Sequence, residues 1–469
     1  MLICNITSTV LILGFASPGL AQWQYSVVDT LQSDLENLSI DLGPGGIPHI
    51  LYYDSQGAIV KHARLSDTGW TRDTVGFNNN YYGFCVDGLD QVHVVFTAPT
   101  YRRLVHWVHT PDSDYADTII VQPRIVGADL EVDAENRAHV SATTLTPIPS
   151  LFYLLYCAEG EAGWQVDTVA GLHGAQGKTD LEIASDGSIG IVSSNPDDWG
   201  NITYCTNRTG GWSCDTAYEY EHGVVNGSIS AGYDSMDNCH LTAREVHPQT
   251  GWGRLVYCHQ EGGQWYSEHA LDSVYNLWWD SYAPLAISSD DVVSVAFRAV
   301  DSTPQGCYYA YLNPDANQWI YYQINAGYTD LLDMVMDDND GIHICYISAD
   351  DENNFYLMYA FGQSPLSVIE SQGTRKSSGA VVSIFPNPAN QSFVITVSCR
   401  RDHYPVNIDV YDLSGRRVYG LKSLMLKAGD NSILLQANSF IQGEPASGVY
   451  LLKVKGDAID ISTKMTLLK

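Results

Sequence analysis

Positively charged side chains are scarce in this sequence. Its 469 residues contain 24 Lys and Arg against 54 Asp and Glu, which gives a formal net charge of −30 at pH 7. Residues 22–374 hold 12 basic and 47 acidic side chains, whereas residues 381–469 hold 10 and 7. The larger part therefore repels polyphosphates and anionic lipid headgroups. This balance excludes nucleic acid as a partner.

Helical periodicity and long apolar runs are also missing. After residue 21, no segment repeats its apolar positions every 3.6 residues, and no apolar run is long enough to cross a bilayer. Instead, 30 Tyr and 40 Gly residues favour many short strands and tight turns. No CxxC motif or His–Cys cluster indicates zinc. We therefore predict an all-β fold.

Residues 1–21 contain the one long apolar segment of the sequence. MLICNITSTVLILGFASPGLA has the apolar middle and small-residue end of a secretory signal peptide, with a cleavage site after Ala21. The usual basic start is absent, because the first basic residue is Lys61. We expect an exported chain that begins near residue 22; the alternative is a first buried strand.

A four-strand pattern recurs about every 50 residues between residues 39 and 362. The copies share an apolar first strand, an Asp/Gly turn and two further strands, and in five of them a fourth strand introduced by Trp follows, as in GWTRDTV (69–75). The first strands begin near residues 39, 84, 129, 180, 228, 284 and 331. Four strands at this period are typical of β-propeller blades. We predict a seven-bladed propeller over residues 22–362.

The seventh copy has no Trp strand of its own. QWQYSVVDT (22–30), directly after the leader, has the pattern of one. We predict that Trp23–Thr30 pairs with the strand around Phe355–Phe361 as the outermost strand of the last blade. This N-terminal strand would close the ring and remove an exposed sheet edge.

A histidine column marks the second strand of five copies. Asp lies six residues before His in four of them, and Asp41 lies eight residues before His49. The four pairs are Asp87 and His93, Asp133 and His139, Asp234 and His240, and Asp337 and His343. Because an active site needs one copy and five are present, we interpret the pairs as structural hydrogen bonds across the first hairpin.

The sequence leaves open whether two cysteines form a disulfide and whether one turn binds calcium. Cys157, Cys205 and Cys258 share a column with alanines, as small buried side chains do. Cys205 and Cys214 flank a Gly-Gly hairpin, and export would allow a disulfide between them. Asp337–Gly341 (DDNDG) resembles part of a calcium loop, although Asp, Asn and Gly suit such turns without metal. Apart from calcium at this loop, no cofactor or metal site is predicted.

The repeat stops at a Ser- and Gly-rich linker, residues 363–380. Residues 381–469 then alternate apolar and polar side chains and carry four ordered motifs: FPNP (385–388), VYDLSGR (410–416), SGVY (447–450) and a terminal strand (464–469). Their order resembles the type A C-terminal sorting domain of the type IX secretion system. The residues that carry the resemblance are Pro386, Asn387, Pro388, Asp412, Gly415, Arg416, Gly448 and Tyr450.

This resemblance implies a small Ig-like β-sandwich and export across the outer membrane of a Gram-negative bacterium. It also implies contact with the secretion machinery and its sorting peptidase, followed by release or by attachment to surface lipopolysaccharide. We expect the exported chain to be a monomer.

Aromatic residues in the strand 2–3 loops and inter-blade connections suggest a ligand. Both kinds of loop emerge on one face of a propeller, and aromatic rings beside acidic and amide groups suit neutral sugars. The predicted ligand residues are Tyr81, Tyr82, Trp199, Trp252, Trp278 and Trp279. We therefore predict a binder of neutral glycan or protein. The alternatives are a surface display or adhesion scaffold and, less favoured, a glycan hydrolase, because no catalytic motif is recognisable.

Overall fold

A computed structural model describes the chain from Trp23 to Leu467. Residues 33–34, 36, 55–58, 76–80, 99–101, 111–112, 123, 148–149, 173–177, 196–200, 220–223, 247–251, 276–282, 300–304, 315–316, 351, 353, 364–379, 386–391, 400–402, 413–415, 428, 437–447 and 457–459 lie outside the description. The described residues form 35 β-strands and no helix, and hence no helix that could span a membrane. The chain divides into two compact units, Trp23–Gly362 and one that contains Gln363–Lys469.

Seven four-stranded antiparallel sheets make up the first unit. From the inside outwards, blade one is β2 (Asn37–Gly43), β3 (Ile47–Asp54), β4 (Ile59–Ser66) and β5 (Gly69–Thr74); blade two is β6 (Tyr81–Val86), β7 (Val92–Thr97), β8 (Arg103–His109) and β9 (Asp114–Val121); blade three is β10 (Arg124–Val132), β11 (Ala138–Pro147), β12 (Ser150–Ala158) and β13 (Gln165–Leu172).

The remaining blades follow the same order. Blade four is β14 (Thr179–Ile183), β15 (Ile189–Asn195), β16 (Asn201–Thr206) and β17 (Ser213–Tyr218); blade five is β18 (Val224–Tyr233), β19 (Cys239–Val246), β20 (Trp252–Glu261) and β21 (Gln264–Tyr275); blade six is β22 (Leu285–Ile287), β23 (Val293–Ala299), β24 (Gly306–Asn313) and β25 (Gln318–Ala326); blade seven is β26 (Thr329–Met336), β27 (Gly341–Ala349), β28 (Phe355–Gln363) and β1 (Gln24–Leu31).

The first strands of neighbouring sheets contact one another around the whole ring. β2 contacts β6, the contacts continue in chain order to β22 and β26, and β26 contacts β2. The second strands are buried on both faces, as in β7, where every residue is buried. Apolar side chains therefore fill the spaces between successive blades. The predicted all-β fold of seven four-stranded units is confirmed.

The fourth strand of blade seven is β1. It pairs with β28 in an antiparallel register that runs from Gln24 opposite Phe361 to Leu31 opposite Phe355, with one irregularity between Val27 and Asp29. Val28 is completely buried in the core that blade seven shares with blade one. The strand therefore contributes side chains to an inter-blade core as well as main-chain hydrogen bonds.

The second unit contains two antiparallel sheets. Its strands are β29 (Ala380–Phe385), β30 (Ser392–Cys399), β31 (His403–Asp412), β32 (Arg417–Leu426), β33 (Gly429–Gln436), β34 (Gly448–Gly456) and β35 (Asp460–Leu467). One sheet has the order β29-β30-β33 and the other β32-β31-β34-β35. Residues from both sheets form a single apolar core, in which Ile395 of β30 and Leu452 of β34 are completely buried.

Candidate functional site: an acidic channel

The first strands of the blades line a central channel. One of its cavities has a volume of about 390 Å³, and an adjoining cavity of about 230 Å³ shares part of its wall. The residues that border both cavities are Ser39, Tyr82, Asp129, Asp180, Ser230, Pro284 and Asp333. The two cavities therefore lie next to each other, with these residues as a common border.

Six carboxylates border the larger cavity. Because side chains alternate along a strand, a first strand can direct two residues, two positions apart, into the channel. The acidic residues placed in this way are Asp41, Asp129, Glu131, Asp180, Glu182 and Asp333. Among the described residues that border this cavity none is Lys or Arg, and Lys178 borders only the smaller one. The channel is therefore strongly acidic.

Several channel side chains also join neighbouring blades. Backbone N–H groups of the next first strand donate to them: Val86 to Asp41 (2.6 Å), Leu181 to Asp129 (2.8 Å), Ala231 to Asp180 (2.5 Å), Leu285 to the Ser230 hydroxyl (3.0 Å) and Ile40 to Asp333 (2.9 Å). We call these the inter-blade bonds. They satisfy amides that have no partner strand on the channel side.

Burial raises the pKa of the channel carboxylates. It raises the pKa of Asp41 and of Asp129 to about 6, and that of Asp333 to about 7. The pKa values of Asp180, Glu131 and Glu182 lie well above their usual range, because burial is reinforced by neighbouring carboxylates. Part of the channel is therefore protonated near neutral pH.

The four predicted Asp–His pairs are in contact. The imidazole Nε2 lies 3.3 Å from the carboxylate in Asp87–His93, 3.1 Å in Asp133–His139, 3.4 Å in Asp234–His240 and 3.2 Å in Asp337–His343. The other ring nitrogen, Nδ1, meets a third-strand side chain in the same blade: His106, Tyr156, Tyr257 or Tyr359, respectively. Each histidine thus links a turn to the third strand.

Asp41 is not the partner of His49, contrary to the sequence interpretation. His49 Nε2 lies 3.1 Å from Asp90 of blade two, and Arg64 also contacts both residues. Asp41 is used instead in an inter-blade bond. The chain spacing misled the prediction because Gly43 stands six residues before His49, the position at which the four paired copies have Asp, and Asp41 lies two residues further back.

Blades four and six lack both the Asp and the His of these pairs. A Cβ atom at Gly190 of blade four would collide with the Tyr233 hydroxyl of blade five. Tyr233 and Tyr204 are hydrogen-bonded through their hydroxyl groups at 2.8 Å. In blade six, Ser294 contacts the Tyr309 hydroxyl at 2.9 Å. The third-strand hydroxyl therefore keeps a polar partner in these blades without histidine.

Burial lowers the pKa of six histidines in these contacts. It lowers the pKa of His49, beside Arg64, to about 4, and those of His62 and His106 to about 3. The pKa values of His93, His240 and His343 are also lowered by burial, although their aspartates oppose the shift. All of these rings are neutral at pH 7, so they are hydrogen-bonded structural groups rather than cations.

Turn residues three positions before the histidine column were overlooked in the sequence. They have a positive φ in several blades, and the side chain then reaches the preceding blade. Asp237, Asp291 and Asp340 each accept from both the backbone N–H and the hydroxyl of a serine. An Asp or Asn at this fixed offset is the signal that could have revealed these contacts.

The DDNDG turn holds its carboxylates in protein hydrogen bonds. Asp337 accepts from the backbone N–H groups of Asn339 and Gly341 and contacts His343, and both oxygens of Asp340 accept from Ser289. No group of three metal-ligating side chains occurs in the described part of the chain.

The predicted aromatic face lies largely beyond the described residues. Trp199, Trp278 and Trp279 are outside them. Tyr81 and Tyr82 begin the strand β6 and Trp252 begins β20, so the three lie in strands rather than in loops. Tyr82 is half-buried and borders both channel cavities. Of the predicted ligand residues, it is the one that the described structure brings to the acidic channel.

The remaining predicted residues are the cysteines and the residues of the sorting motifs. Cys205 and Cys214 form a disulfide between β16 and β17, and Cys157 and Cys258 are buried free thiols. In the second unit, Asp412 ends β31, Arg416 is exposed, Gly448 begins β34 and Tyr450 is buried in the core. Pro386, Asn387, Pro388 and Gly415 lie outside the described residues.

Residues 383–467 match the family described as the secretion system C-terminal sorting domain. The tail is a sorting domain. The predicted resemblance is confirmed for this part of the chain, and it indicates export to the cell surface or the medium with the help of the type IX machinery. A search of curated proteins finds no match to this sequence.

Solved structures resemble the ring of blades. An ulvan-type polysaccharide lyase bound to -[GlcA(1-4)Rha3S]- is 10% identical, with a TM-score of 0.52, and the match covers 75% of this chain and 95% of that one. AofleA from Arthrobotrys oligospora is 15% identical (TM-score 0.42; 65% and 90% covered), and the Aleuria aurantia lectin 11% (0.41; 62% and 94%). At these identities the similarity concerns the fold alone.

Proposed function

We propose that this exported protein binds a neutral glycan in the channel beside Tyr82. One observation carries the proposal: a half-buried aromatic ring and several carboxylate acceptors border the same cavity. A sugar ring has apolar C–H faces that pack on an aromatic ring, and hydroxyl groups that donate to carboxylates. The fold itself adds little, since propellers carry unrelated functions.

The charge of the channel selects among glycans. Asp129, Asp180 and Asp333 border both cavities, and a uronate or sulfate group would enter their field without a described cation to offset it, apart from Lys178. A neutral chain avoids this repulsion. We therefore expect neutral oligosaccharides to bind and uronate-rich or sulfated ones to be rejected. Trp199, Trp252, Trp278 and Trp279 stay predicted ligand residues.

A glycan array probed with the full chain tests this proposal. The decisive comparison is Tyr82→Leu against Tyr266→Leu, a matched change at an exposed tyrosine of β21. Loss of a stacked ring should weaken binding of a neutral glycan about fivefold to tenfold, whereas the control should bind like the parent. A parent that binds no glycan would favour the display or adhesion scaffold, and release of shortened glycans would favour a hydrolase.

We further propose the organisation that the sequence predicts around this site. Residues 1–21 would be removed as a signal peptide, and the N-terminal strand β1 would close the seven-bladed ring. Residues 363–380 would link the ring to an Ig-like sorting domain, which the sorting peptidase would remove from a monomer that is then released or attached to lipopolysaccharide. Calcium binding at the DDNDG turn (337–341) stays a prediction.

A further inference from the structure

The channel carboxylates have two structural roles at once. Those of Asp41, Asp129, Asp180 and Asp333 accept the inter-blade bonds. They also face one another across the same cavity, together with Glu131 and Glu182. The groups that hold adjacent first strands together are therefore the groups that would repel one another when ionised.

One pair of channel carboxyl groups can be hydrogen-bonded only while it holds a proton. The Asp180 and Asp129 side chains lie within hydrogen-bonding reach of each other. Two ionised carboxylates cannot make such a bond, because neither has a hydrogen to donate. The pair spans β10 and β14, the first strands of blades three and four. Loss of this proton replaces an inter-blade attraction by a repulsion.

Nothing in the described wall of the larger cavity offsets further ionisation. The titratable groups that face the channel carboxylates are Asp41 of β2, Tyr82 and Cys85 of β6, Asp129 and Glu131 of β10, Asp180 and Glu182 of β14, Tyr233 of β18, Cys239 of β19, Asp333 of β26 and Cys345 of β27, together with Lys178, which precedes β14 and borders the smaller cavity. Apart from Lys178, all of these groups are neutral or negative in each protonation state. The part of β22 that borders the cavity, Leu285–Ile287, has no titratable side chain.

We propose that the channel makes the ring of blades sensitive to pH, because its first strands are held most tightly while the carboxyl groups share protons. When pH rises and the protons leave for the solvent, repulsion loosens the contacts between β10, β14 and β18. The raised pKa values of Glu131, Asp180 and Glu182 agree with this direction of the pH effect. Because these groups bind protons more tightly in the folded than in the unfolded chain, the folded state gains stability as pH falls towards their unfolded pKa values.

Hydrogen exchange of the full chain, followed by mass spectrometry at pH 6 and pH 8, tests the proposal. After correction for the intrinsic pH dependence of amide exchange, peptides that contain Leu181 and Ala231 should exchange at least about tenfold faster at pH 8, the factor that one unit of pKa separation produces. Peptides from β31 in the second unit should keep their corrected rates. Equal corrected rates for Leu181 and Ala231 at both pH values would overturn the proposal.

A matched pair of variants assigns the effect to the channel. Glu131→Gln with Glu182→Gln removes two channel charges and keeps every inter-blade acceptor, whereas Glu161→Gln with Glu261→Gln removes two exposed charges. The channel variant should lose most of the pH effect, and the surface variant should keep it. If both variants behave alike, the channel is not responsible. Should the double channel variant fail to fold, Glu182→Gln alone is compared with Glu161→Gln on the same criterion.

Discussion

Trp23 packs edge-on against Tyr309, with ring centroids 5.7 Å apart. Trp23 precedes the outermost strand of blade seven, and Tyr309 lies on the third strand of blade six. The same contact between a fourth-strand Trp and a third-strand aromatic of the preceding blade recurs elsewhere: Trp70 with Tyr359, Trp164 with His106, Trp212 with Tyr156, Trp265 with Tyr204 and Trp319 with Tyr257. A residue at the start of the described chain thus completes a column contributed mainly by later segments.

Replacing Trp23 by Ala should lower the free energy of unfolding by about 2–3 kcal/mol, because a large, partly buried ring and its aromatic contact are lost. Denaturant unfolding of the full chain measures the change. Tyr115→Ala, at a largely exposed ring on β9, is the control and should cost less than about 0.5 kcal/mol. Equal costs for the two variants would contradict a packing role for Trp23.

Replacing His240 by Ala should cost roughly 1–3 kcal/mol, because Asp234 and the Tyr257 hydroxyl each lose a buried partner. The binding of any ligand should be unaffected, since the pair is structural. His109→Ala removes an exposed imidazole–carboxylate contact with Asp114 and should cost less. A ligand that binds the parent but not the His240 variant at equal fold content would overturn the structural interpretation.

Acid should destabilise the ring through its buried histidines. The folded pKa of His62 is about 3, below the value of about 6.5 for an unfolded histidine. Between these values the unfolded chain binds the proton and the folded chain does not, so stability falls as pH falls. His62→Gln should therefore lose about 2 kcal/mol less than the parent between pH 6 and pH 4. Unfolding curves at the two pH values measure this, and parallel losses in both proteins would contradict it.

The disulfide between Cys205 and Cys214 should stabilise blade four by restricting the unfolded chain. Closure of a loop of this size corresponds to about 2–3 kcal/mol. Cys214→Ala should lower the free energy of unfolding by that amount. Reduction of the parent with dithiothreitol should have a similar effect, whereas the variant should be insensitive to the reductant. A parent whose stability does not change on reduction would show that the bond contributes little.

Removal of residues 381–469 should leave the ring folded but prevent its delivery outside the cell, because these residues include the sorting domain. Fractionation of a host with a type IX system measures the location of the truncated chain, and circular dichroism of the purified product checks its fold. A matched variant that retains residues 381–469 but carries Tyr266→Leu should be exported normally. Surface delivery of the truncated chain would contradict the assignment.

Much of this architecture could be predicted from local patterns. The repeated Trp, His and Asp positions predict the units and their order because they recur once in each repeat. They also predict four of the five histidine partners, because those Asp–His contacts lie within one hairpin. Blade one shows the limit of this reasoning. Its turn has Gly43 in place of Asp, so the partner of His49 comes from Asp90 of another blade, and spacing along the chain contains no information about that contact.

The sequence by itself determined the number of blades, the resemblance of β1 to the fourth strand of a blade, and the sorting tail. These features depend on periodicity and short motifs. Only the tertiary structure decided that six carboxylates share one cavity. Asp129 and Asp180 are adjacent because the ring places consecutive first strands side by side around an axis, although 51 residues separate them along the chain. Burial raises the pKa of Asp129, and burial reinforced by the Asp129 carboxylate raises that of Asp180; both causes depend on the arrangement of neighbouring blades and are absent from a single repeat.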